Sequence, residues 1–227
     1  MPVNIFLCMD AVLLAAGEGT RLRPLTVTRP KPMLPLAGKP IIEWGLEALD
    51  CVGVKNAYIV VGYRKEVIRD YFGGQFRGVK LHYLTQKQQL GTANAVAQAE
   101  KYVRGDFLVM NGDVFVTRKF ISTLLEEHRK NKPQTSMSIV EVGDPSQYGI
   151  VETAGSRVTS LEEKPRKPRS SKANCGVYVF NKSIFKYIRE LKQSKRLEFE
   201  LTDAIKKNIP KKTVHAIECK GQWIDVG

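Results

Sequence analysis

Short apolar runs alternate with segments of helical periodicity along the first 130 residues. The apolar runs predict strands at 11–16, 57–62, 81–85 and 106–113. Apolar residues spaced at i, i+3 and i+4 predict helices at 40–53, 64–72, 91–103 and 118–130. This alternation is typical of βαβ units that build a largely parallel sheet.

The pattern changes after residue 130. Short apolar runs separated by Gly, Pro and Ser turns predict strands at 135–142, 148–153, 157–164 and 175–180. Helices near 182–192 and 200–208 and a last strand at 214–219 follow. We therefore expect an α/β fold. Its Rossmann-like sheet is mixed but mostly parallel, is flanked by helices, and gains an added β lobe in the second half.

Composition limits the class of protein. With 227 residues, 43% of them hydrophobic, the chain can bury a sizeable core as one domain, 1–227. The cysteines are far apart and form no CxxC pair, which favours neither a zinc site nor a disulfide framework; they are Cys8, Cys51, Cys175 and Cys219. No segment reads as a leader peptide or approaches the ~20 apolar residues of a membrane span. We expect a cytoplasmic protein with no membrane partner, beginning at Met1 or at Met9.

The chain is strongly basic, with a formal net charge of +13 and a pI near 9.6. Such a charge attracts polyanions: nucleic acid, an acidic membrane or a small phosphorylated molecule. Many of the cations fall in 164–172, 188–196 and 205–212, where solvated loops and helix faces explain them. The sequence has no aromatic RNA-binding signature and no recognition-helix motif, so we expect no nucleic-acid partner.

The loop after the first predicted strand carries the clearest chemical signal. In α/β sheets, ligands bind outside the carboxyl ends of the strands. Gly17 and Gly19 permit positive φ and leave backbone N–H groups free to wrap an anion. A GxGxxG dinucleotide motif fails, because Leu22 stands where the third glycine belongs, and no Walker-type GKS or GKT follows.

Cations follow these glycines directly. Arg21 comes after Thr20, and Lys31 stands between Pro30 and Pro32. Because proline fixes φ and lowers the entropy of an unliganded loop, Lys31 can be aimed at a phosphate. The alternative interpretation is a stiff surface loop with incidental charges.

The stretch LAAGEGTRLRPLTVTRPKPMLPLAGKPI (14–41) resembles the signature of the nucleoside-diphosphate-sugar pyrophosphorylases, which are sugar-1-phosphate nucleotidylyltransferases. The similarity is closest to glucose-1-phosphate thymidylyltransferases and to the pyrophosphorylase domain of enzymes that form UDP-N-acetylglucosamine. Further segments resemble this family in the same order: TQKQQLGTANAV (85–96), NGDVF (111–115), YGIVE (148–152), LEEKP (161–165), NCGVYVF (174–180), EFELTDAI (198–205) and WIDVG (223–227). The resemblance covers almost the entire chain after residue 9.

The resemblance implies an Mg²⁺-dependent enzyme. It would transfer a nucleotidyl group from dTTP or UTP to glucose 1-phosphate or N-acetylglucosamine 1-phosphate, and release pyrophosphate. A phosphate monoester has its second pKa at about 6, so the nucleophile is already mostly a dianion and needs no catalytic base. The reaction then depends on positioning, fixed cations and metal.

The resemblance also implies roles for single residues. The catalytic set is Arg21, Lys31, Asp113 and Asp225, of which Asp113 and Asp225 hold Mg²⁺. The nucleotide-binding set is Ala15, Gly17, Gly19, Thr20, Arg21, Lys31, Gln86, Gly91 and Thr92, within a nucleotide-binding half 9–130. The sugar-phosphate-binding set is Gly149, Glu163, Lys164 and Asn174, within the half 131–227. Gln86 and the backbone at Gly91 would read the base, since a side-chain amide offers a donor and an acceptor together.

Asn111 departs from the family pattern, because some uridylyltransferases carry Tyr at this position. Two alternatives stay open. One is a cytidylyltransferase-like enzyme with another phosphate acceptor, and the other is a non-catalytic, basic nucleic-acid-binding or regulatory module. Family members often continue into a C-terminal domain, and assembly into a homo-oligomer is also left open.

Overall fold

The computed structural model describes residues 9–194 and 196–226, so Cys8 and the start at Met1 lie outside the described residues. The helices are α1 (Ile41–Cys51), α2 (Lys65–Phe72), α3 (Thr92–Ala97), α4 (Arg118–Asn131), α5 (Ile184–Arg189) and α6 (Leu201–Asn208). The strands are β1 (Asp10–Ala15), β2 (Pro35–Leu36), β3 (Lys39–Pro40), β4 (Asn56–Val61), β5 (Gln75–Phe76), β6 (Val79–Thr85), β7 (Phe107–Asn111), β8 (Val114–Val116), β9 (Thr135–Glu141), β10 (Gly149–Ala154), β11 (Arg157–Glu163), β12 (Lys172–Phe180), β13 (Val214–Glu218) and β14 (Trp223–Asp225).

One ten-stranded sheet runs through both halves of the chain, in the order β10-β11-β13-β9-β12-β7-β1-β4-β6-β5. Strands β7, β1, β4 and β6 are parallel neighbours. Strand β12 then joins the two halves, since it pairs antiparallel with both β7 and β9. The mixed α/β fold expected from the sequence is confirmed. The sheet is not mostly parallel as expected, because only the pairings β7–β1, β1–β4, β4–β6 and β9–β13 are parallel and its other strand pairings are antiparallel.

Helices cover both faces of this sheet, because successive side chains of β1 point to opposite faces and are apolar on both. Leu13 faces a core built with α1, α2 and α4. Val12 faces a second core built with α3, α5 and α6. Both residues are fully buried. A central strand buried on both sides carries a nearly continuous apolar run, which explains why the sequence reveals β1 so clearly.

The structure differs from the sequence prediction at one helix and at the shortest strands. The helix predicted at 91–103 ends at Ala97, because the chain tightens there into i→i+3 bonds such as the Glu100 N–H donating to Ala97 O at 3.2 Å. Strands β2, β3, β5, β8 and β14 were not predicted, because each has only two or three residues, too short for a periodic signal. Of these, β8 and β14 pair with each other as a separate small sheet.

The carboxyl ends of β1, β4 and β7 meet at one edge of the sheet, and the loops after them are in direct contact. The Gly112 N–H donates to Leu14 O at 2.9 Å. A Cβ at Gly112 would lie 2.8 Å from that oxygen and 3.3 Å from Pro32 Cγ. The turn after β7 therefore packs against the end of β1 and against the loop that carries Lys31.

No helix within residues 9–194 and 196–226 has the length and apolar character required to cross a bilayer.

A substitution at Phe107 tests the packing of the second core. Its ring is fully buried and stacks on Phe185, with 5.4 Å between ring centroids and 6° between planes. We expect Phe107→Ala to lower the free energy of unfolding by about 3–5 kcal/mol, because it leaves a cavity between β7 and α5. Urea denaturation measures this. Leu25→Ala, at a side chain that is 63% exposed, is the control and should change the unfolding free energy little; equal losses in both variants would contradict the packing.

Candidate active site

Two adjoining cavities open at the carboxyl edge of the sheet, of about 430 Å³ and about 420 Å³. The first is formed by the loop after β1 and by the turn that precedes α3. The second lies among β10, β11, β12 and β14. The residues that line both cavities are Arg21, Lys31, Thr92, Asn111, Asp113 and Glu198.

The predicted site residues divide between these cavities as the sequence grouped them. The whole predicted nucleotide-binding set lines the first cavity: Ala15, Gly17, Gly19, Thr20, Arg21, Lys31, Gln86, Gly91 and Thr92. The whole predicted sugar-phosphate-binding set lines the second cavity, together with Asp225: Gly149, Glu163, Lys164 and Asn174. The structure thus brings each group together and joins the groups at Arg21 and Lys31.

Of the two loop glycines, only Gly19 adopts a positive φ. Gly19 has φ +66°, and a Cβ there would lie 2.8 Å from Lys31 Cβ. Gly17 is not in the positive-φ region, and a Cβ there would meet no atom within 4 Å, which corrects the expectation for both glycines. The buried Thr26, which sequence analysis missed, donates its Oγ1 hydrogen to Gly19 O at 2.9 Å. Gly19 is therefore required where the loop folds back onto Lys31.

Lys31 points into the junction of the cavities. Pro30, with φ −69°, directly precedes the single 3₁₀ turn that Lys31 begins. Lys31 Nζ lies 2.7 Å from Asp113 Oδ2, and both side chains are largely buried, with 17% and 30% exposed. A charge-assisted contact of this length fixes the ammonium group between the loop after β1 and the turn after β7.

The small β8–β14 sheet places Asp225 beside Asp113. Asp225 pairs with Val114, and the Val226 N–H donates to Asp113 O at 3.2 Å. Sequence analysis paired the two aspartates by family resemblance alone, since the two short strands carry no signal of their own.

The electrostatics of these carboxylates favour a cation. Burial, and after it the Asp113 carboxylate, raises the pKa of Asp225 above its ordinary value. The cations Lys31, Lys164 and Arg21 act in the opposite direction. A metal ion near both carboxylates would relieve their repulsion. The described part of the chain has no group of three or more metal-ligating His, Cys, Asp or Glu side chains, and Mg²⁺ fits such a pair because it typically takes one or two carboxylates plus water and substrate phosphates.

Gln86 is buried beside the turn before α3, and both hydrogens of its amide nitrogen are used internally. Nε2 donates to Gly91 O at 3.2 Å and to Asn94 Oδ1 at 2.8 Å. A ligand in the first cavity can therefore use only the Oε1 acceptor, instead of the donor–acceptor pair expected from the sequence. Asn94, which holds the amide in this orientation, carried no signal of its own in the sequence.

The second cavity is built on the pairing of β10 with β11. Gly149 lies opposite Glu163, and a Cβ at Gly149 would come within 3.0 Å of Glu163 Oε2 and 3.5 Å of Asn174 Cβ. The Lys164 N–H donates to Tyr148 O at 3.0 Å. Sequence analysis did not assign several other residues of this wall: Tyr148, Arg196, Glu200, Thr202 and Trp223.

Thr202 carries a hydroxyl that lacks a protein partner. Among residues 9–194 and 196–226, its Oγ1 is the one buried side-chain nitrogen or oxygen without a hydrogen bond, and the residue is 8% exposed. Leaving such a group unpaired costs about 1–3 kcal/mol. Thr202 is among the residues that line the second cavity, and its hydroxyl oxygen is buried behind that surface.

Comparisons with known proteins identify the family of the chain. A family model described as nucleotidyl transferase matches residues 10–227. The chain belongs to the nucleotidyl transferase family. Within this family it is 42% identical over 222 residues to the bifunctional protein GlmU of Methanococcus maripaludis, covering 96% of this chain and 51% of that protein. The chain thus spans about half the length of that relative.

Two further similarities cover the chain to the same extent. The UTP–glucose-1-phosphate uridylyltransferase AglF of Haloferax volcanii is 34% identical, over 96% of this chain and 91% of that protein. A crystal structure of UDP-glucose pyrophosphorylase complexed with UDP-glucose superposes with a TM-score of 0.88 at 26% identity, covering 96% of this chain and 93% of that one. This chain therefore has the fold of the sugar nucleotidyltransferases.

Glu163 gives a pH-dependent test of the second cavity. Burial, and after it Glu200, raises the pKa of Glu163 above its ordinary value. The folded chain therefore binds this proton more tightly than the unfolded chain. Tighter proton binding at Glu163 adds to the free energy of unfolding. This contribution is complete below the pKa of the unfolded chain, ~4.3, and is lost as the pH rises through the raised pKa of the folded chain.

We therefore expect Glu163→Gln to raise Tm at pH 7 and to lose this advantage near pH 4. In a domain of this size, 1 kcal/mol moves Tm by about 2–4 °C. Thermal unfolding across the pH range measures the difference. Glu162→Gln, at the exposed neighbour in β11, is the control and should show no such trend. A Glu163→Gln protein less stable than wild type at pH 7 would show that the carboxylate is stabilised in the cavity.

Proposed function

We propose that the chain transfers a nucleotidyl group from a nucleoside triphosphate to a sugar 1-phosphate and releases pyrophosphate. The observation that carries this proposal is the meeting of two adjoining cavities at Arg21 and Lys31. One cavity can take the nucleotide and the other the sugar, so that their phosphates meet at the shared cations. The names of the relatives support the same reaction class.

In this reaction a sugar-phosphate oxygen attacks the α-phosphorus of the triphosphate. The new P–O bond forms as the bond from the α-phosphorus to the bridging oxygen breaks, and that oxygen leaves with pyrophosphate. The attacking phosphate is mostly a dianion at neutral pH, so no residue has to remove a proton. Arg21 can hold phosphate oxygens through paired donors, while Lys31 acts as a point charge at the junction.

Asp113 and Asp225 would hold Mg²⁺ at this junction. When bound, the ion would neutralise charge on the triphosphate oxygens and on the leaving pyrophosphate. The protein holds these carboxylates in place through the β8–β14 pairing and positions Lys31 against Asp113. Lys31 can then turn from Asp113 Oδ2 toward a phosphate oxygen at little cost, because both are acceptors for the same ammonium group.

The second cavity offers a set of groups suited to a sugar. The Glu163 carboxylate can accept hydrogen bonds from sugar hydroxyls. Tyr148 and Trp223 form an aromatic wall, with 5.7 Å between their ring centroids, against which an apolar sugar face can pack. Lys164 and Arg196 supply charge for the sugar phosphate.

The substrates we propose are UTP or dTTP with glucose 1-phosphate or N-acetylglucosamine 1-phosphate. Haloferax volcanii AglF is named for UTP and glucose 1-phosphate, and a Streptomyces griseus relative for thymidylyl transfer to glucose 1-phosphate. Pyrophosphate release over a matrix of four nucleoside triphosphates and several sugar 1-phosphates tests the proposal. Turnover confined to other phosphate acceptors, or oligonucleotide binding without turnover, would overturn it.

A substitution at Lys31 tests the proposed mechanism most directly. We expect Lys31→Met to lower kcat/KM by about 10²- to 10³-fold, because it removes a fixed positive charge from the transferring phosphate. Steady-state pyrophosphate release measures the loss. Lys130→Met, at the exposed end of α4, is the matched control and should keep the wild-type rate. Comparable rates in the two variants would exclude Lys31 from the transfer step.

Metal dependence is tested at the aspartate pair. We expect chelation by EDTA to abolish turnover and added Mg²⁺ to restore it, and we expect Asp225→Asn to raise the Mg²⁺ concentration required for half-maximal rate by at least about tenfold. Asp70→Asn, at an exposed position on α2, should leave that concentration unchanged. A wild-type rate for Asp225→Asn at limiting Mg²⁺ would contradict the assigned ligand pair.

A further inference from the structure

Three hydrogen bonds join residues 90–93, around the start of α3, to residues 199–201, around the start of α6; we call this contact the seam. The Phe199 N–H donates to Leu90 O at 2.7 Å, and the Ala93 N–H donates to Phe199 O at 2.9 Å. The Leu201 N–H donates to Thr92 Oγ1 at 3.0 Å. These three bonds hold the two segments side by side at a separation of 109 residues between Thr92 and Leu201.

The seam lies between the two cavities. Its first segment contributes Gly91 to the first cavity and Thr92 to both cavities. Its second segment contributes Glu200, Leu201 and Thr202 to the second cavity. Any shift of one segment against the other would therefore change the relative position of the two cavities.

Gly91 sets how closely the two backbones approach. It has φ +102°, and a Cβ at this position would lie 2.7 Å from Phe199 O and 2.9 Å from Phe199 N. The first two bonds of the seam join backbone to backbone. The bond from Leu201 to Thr92 is the one of the three that depends on a side chain, so mutation can remove it selectively.

Thr92 caps the N-terminus of α6, a helix that begins 109 residues later in the chain. Leu201 is the first residue of α6, and Glu200 before it makes no side-chain capping bond. The first N–H groups of a helix have no partner inside the helix, and a side-chain oxygen that accepts from one of them stabilises the helix start. Here Thr92, itself the first residue of α3, supplies that oxygen to α6.

We propose that Thr92 is a positioning residue for the sugar phosphate, acting through α6 rather than by contact with the nucleotide alone. By fixing the Leu201 N–H, Thr92 sets the position of the next residue, Thr202, which lines the second cavity. The inference rests on the proposed function, because it assigns the second cavity to the sugar. It differs from the role implied by family resemblance, in which Thr92 serves the nucleotide.

Two variants separate these roles. Thr92→Val keeps the shape of the side chain and removes the acceptor, while Thr92→Ser keeps the acceptor. We expect Thr92→Val to raise KM for the sugar 1-phosphate by roughly 3- to 10-fold, the effect of one lost hydrogen bond, and to change KM for the triphosphate less than about twofold. Thr92→Ser should restore the wild-type value. Thr123→Val is the matched control, since Thr123 donates within α4 and lines neither cavity.

A rise in KM for the triphosphate alone, or an equal rise for both substrates, would overturn the inference while leaving the proposed function intact. Wild-type protein that turns over no pair of substrates would instead overturn the proposed function. The two failures are therefore distinguishable.

Hydrogen exchange measures the bond itself and needs no turnover. We expect the Leu201 amide to exchange about tenfold faster in Thr92→Val than in wild type, while the Ala93 and Phe199 amides, which bond to backbone oxygens, keep their protection. Thr92→Ser should match wild type. Unchanged exchange at Leu201 in Thr92→Val would show that the side chain does not hold α6, and would overturn the inference.

Discussion

The ion pair between Lys31 and Asp113 joins two loops that lie 82 residues apart in the chain. The first loop reaches it because Gly19, in the left-handed region, leaves room for Lys31 Cβ. The second reaches it because Gly112 packs without a side chain against the end of β1. Both cavities open around this one contact, so the geometry of the whole site depends on a cation held where the two loops cross.

The charges of the site work against the stability of the empty protein. Asp225 and Glu163 are carboxylates whose pKa values are raised by burial, so each is held in a position that disfavours its ionised form. Thr202 adds a buried hydroxyl without a partner. Groups held in such unfavourable environments cluster at functional sites, because a ligand can supply the interactions that the fold withholds. The net charge of +13 favours the approach of phosphorylated ligands to this region.

Sequence reasoning recovered the parts of the fold that depend on local pattern. The apolar runs at 11–16, 57–62 and 106–113 revealed β1, β4 and β7, because a strand buried on both faces is apolar along its length. It missed β8 and β14, which exist only through pairing with each other. The hydrogen bond from Leu201 to Thr92 likewise joins positions that share no local pattern. The residues of both cavities were grouped by resemblance, and only the three-dimensional arrangement shows that they meet at Lys31.

The most direct test of this account is the structure of a ternary complex with a non-hydrolysable α,β-methylene analogue of UTP or dTTP and a sugar 1-phosphate. The measured quantity is the distance from Lys31 Nζ to the nearest α-phosphate oxygen. We expect about 2.7–3.2 Å, with the sugar in the second cavity and the base in the first. An α-phosphate beyond the reach of both Lys31 and Arg21, or both ligands in one cavity, would contradict the claim that phosphate transfer takes place at the junction.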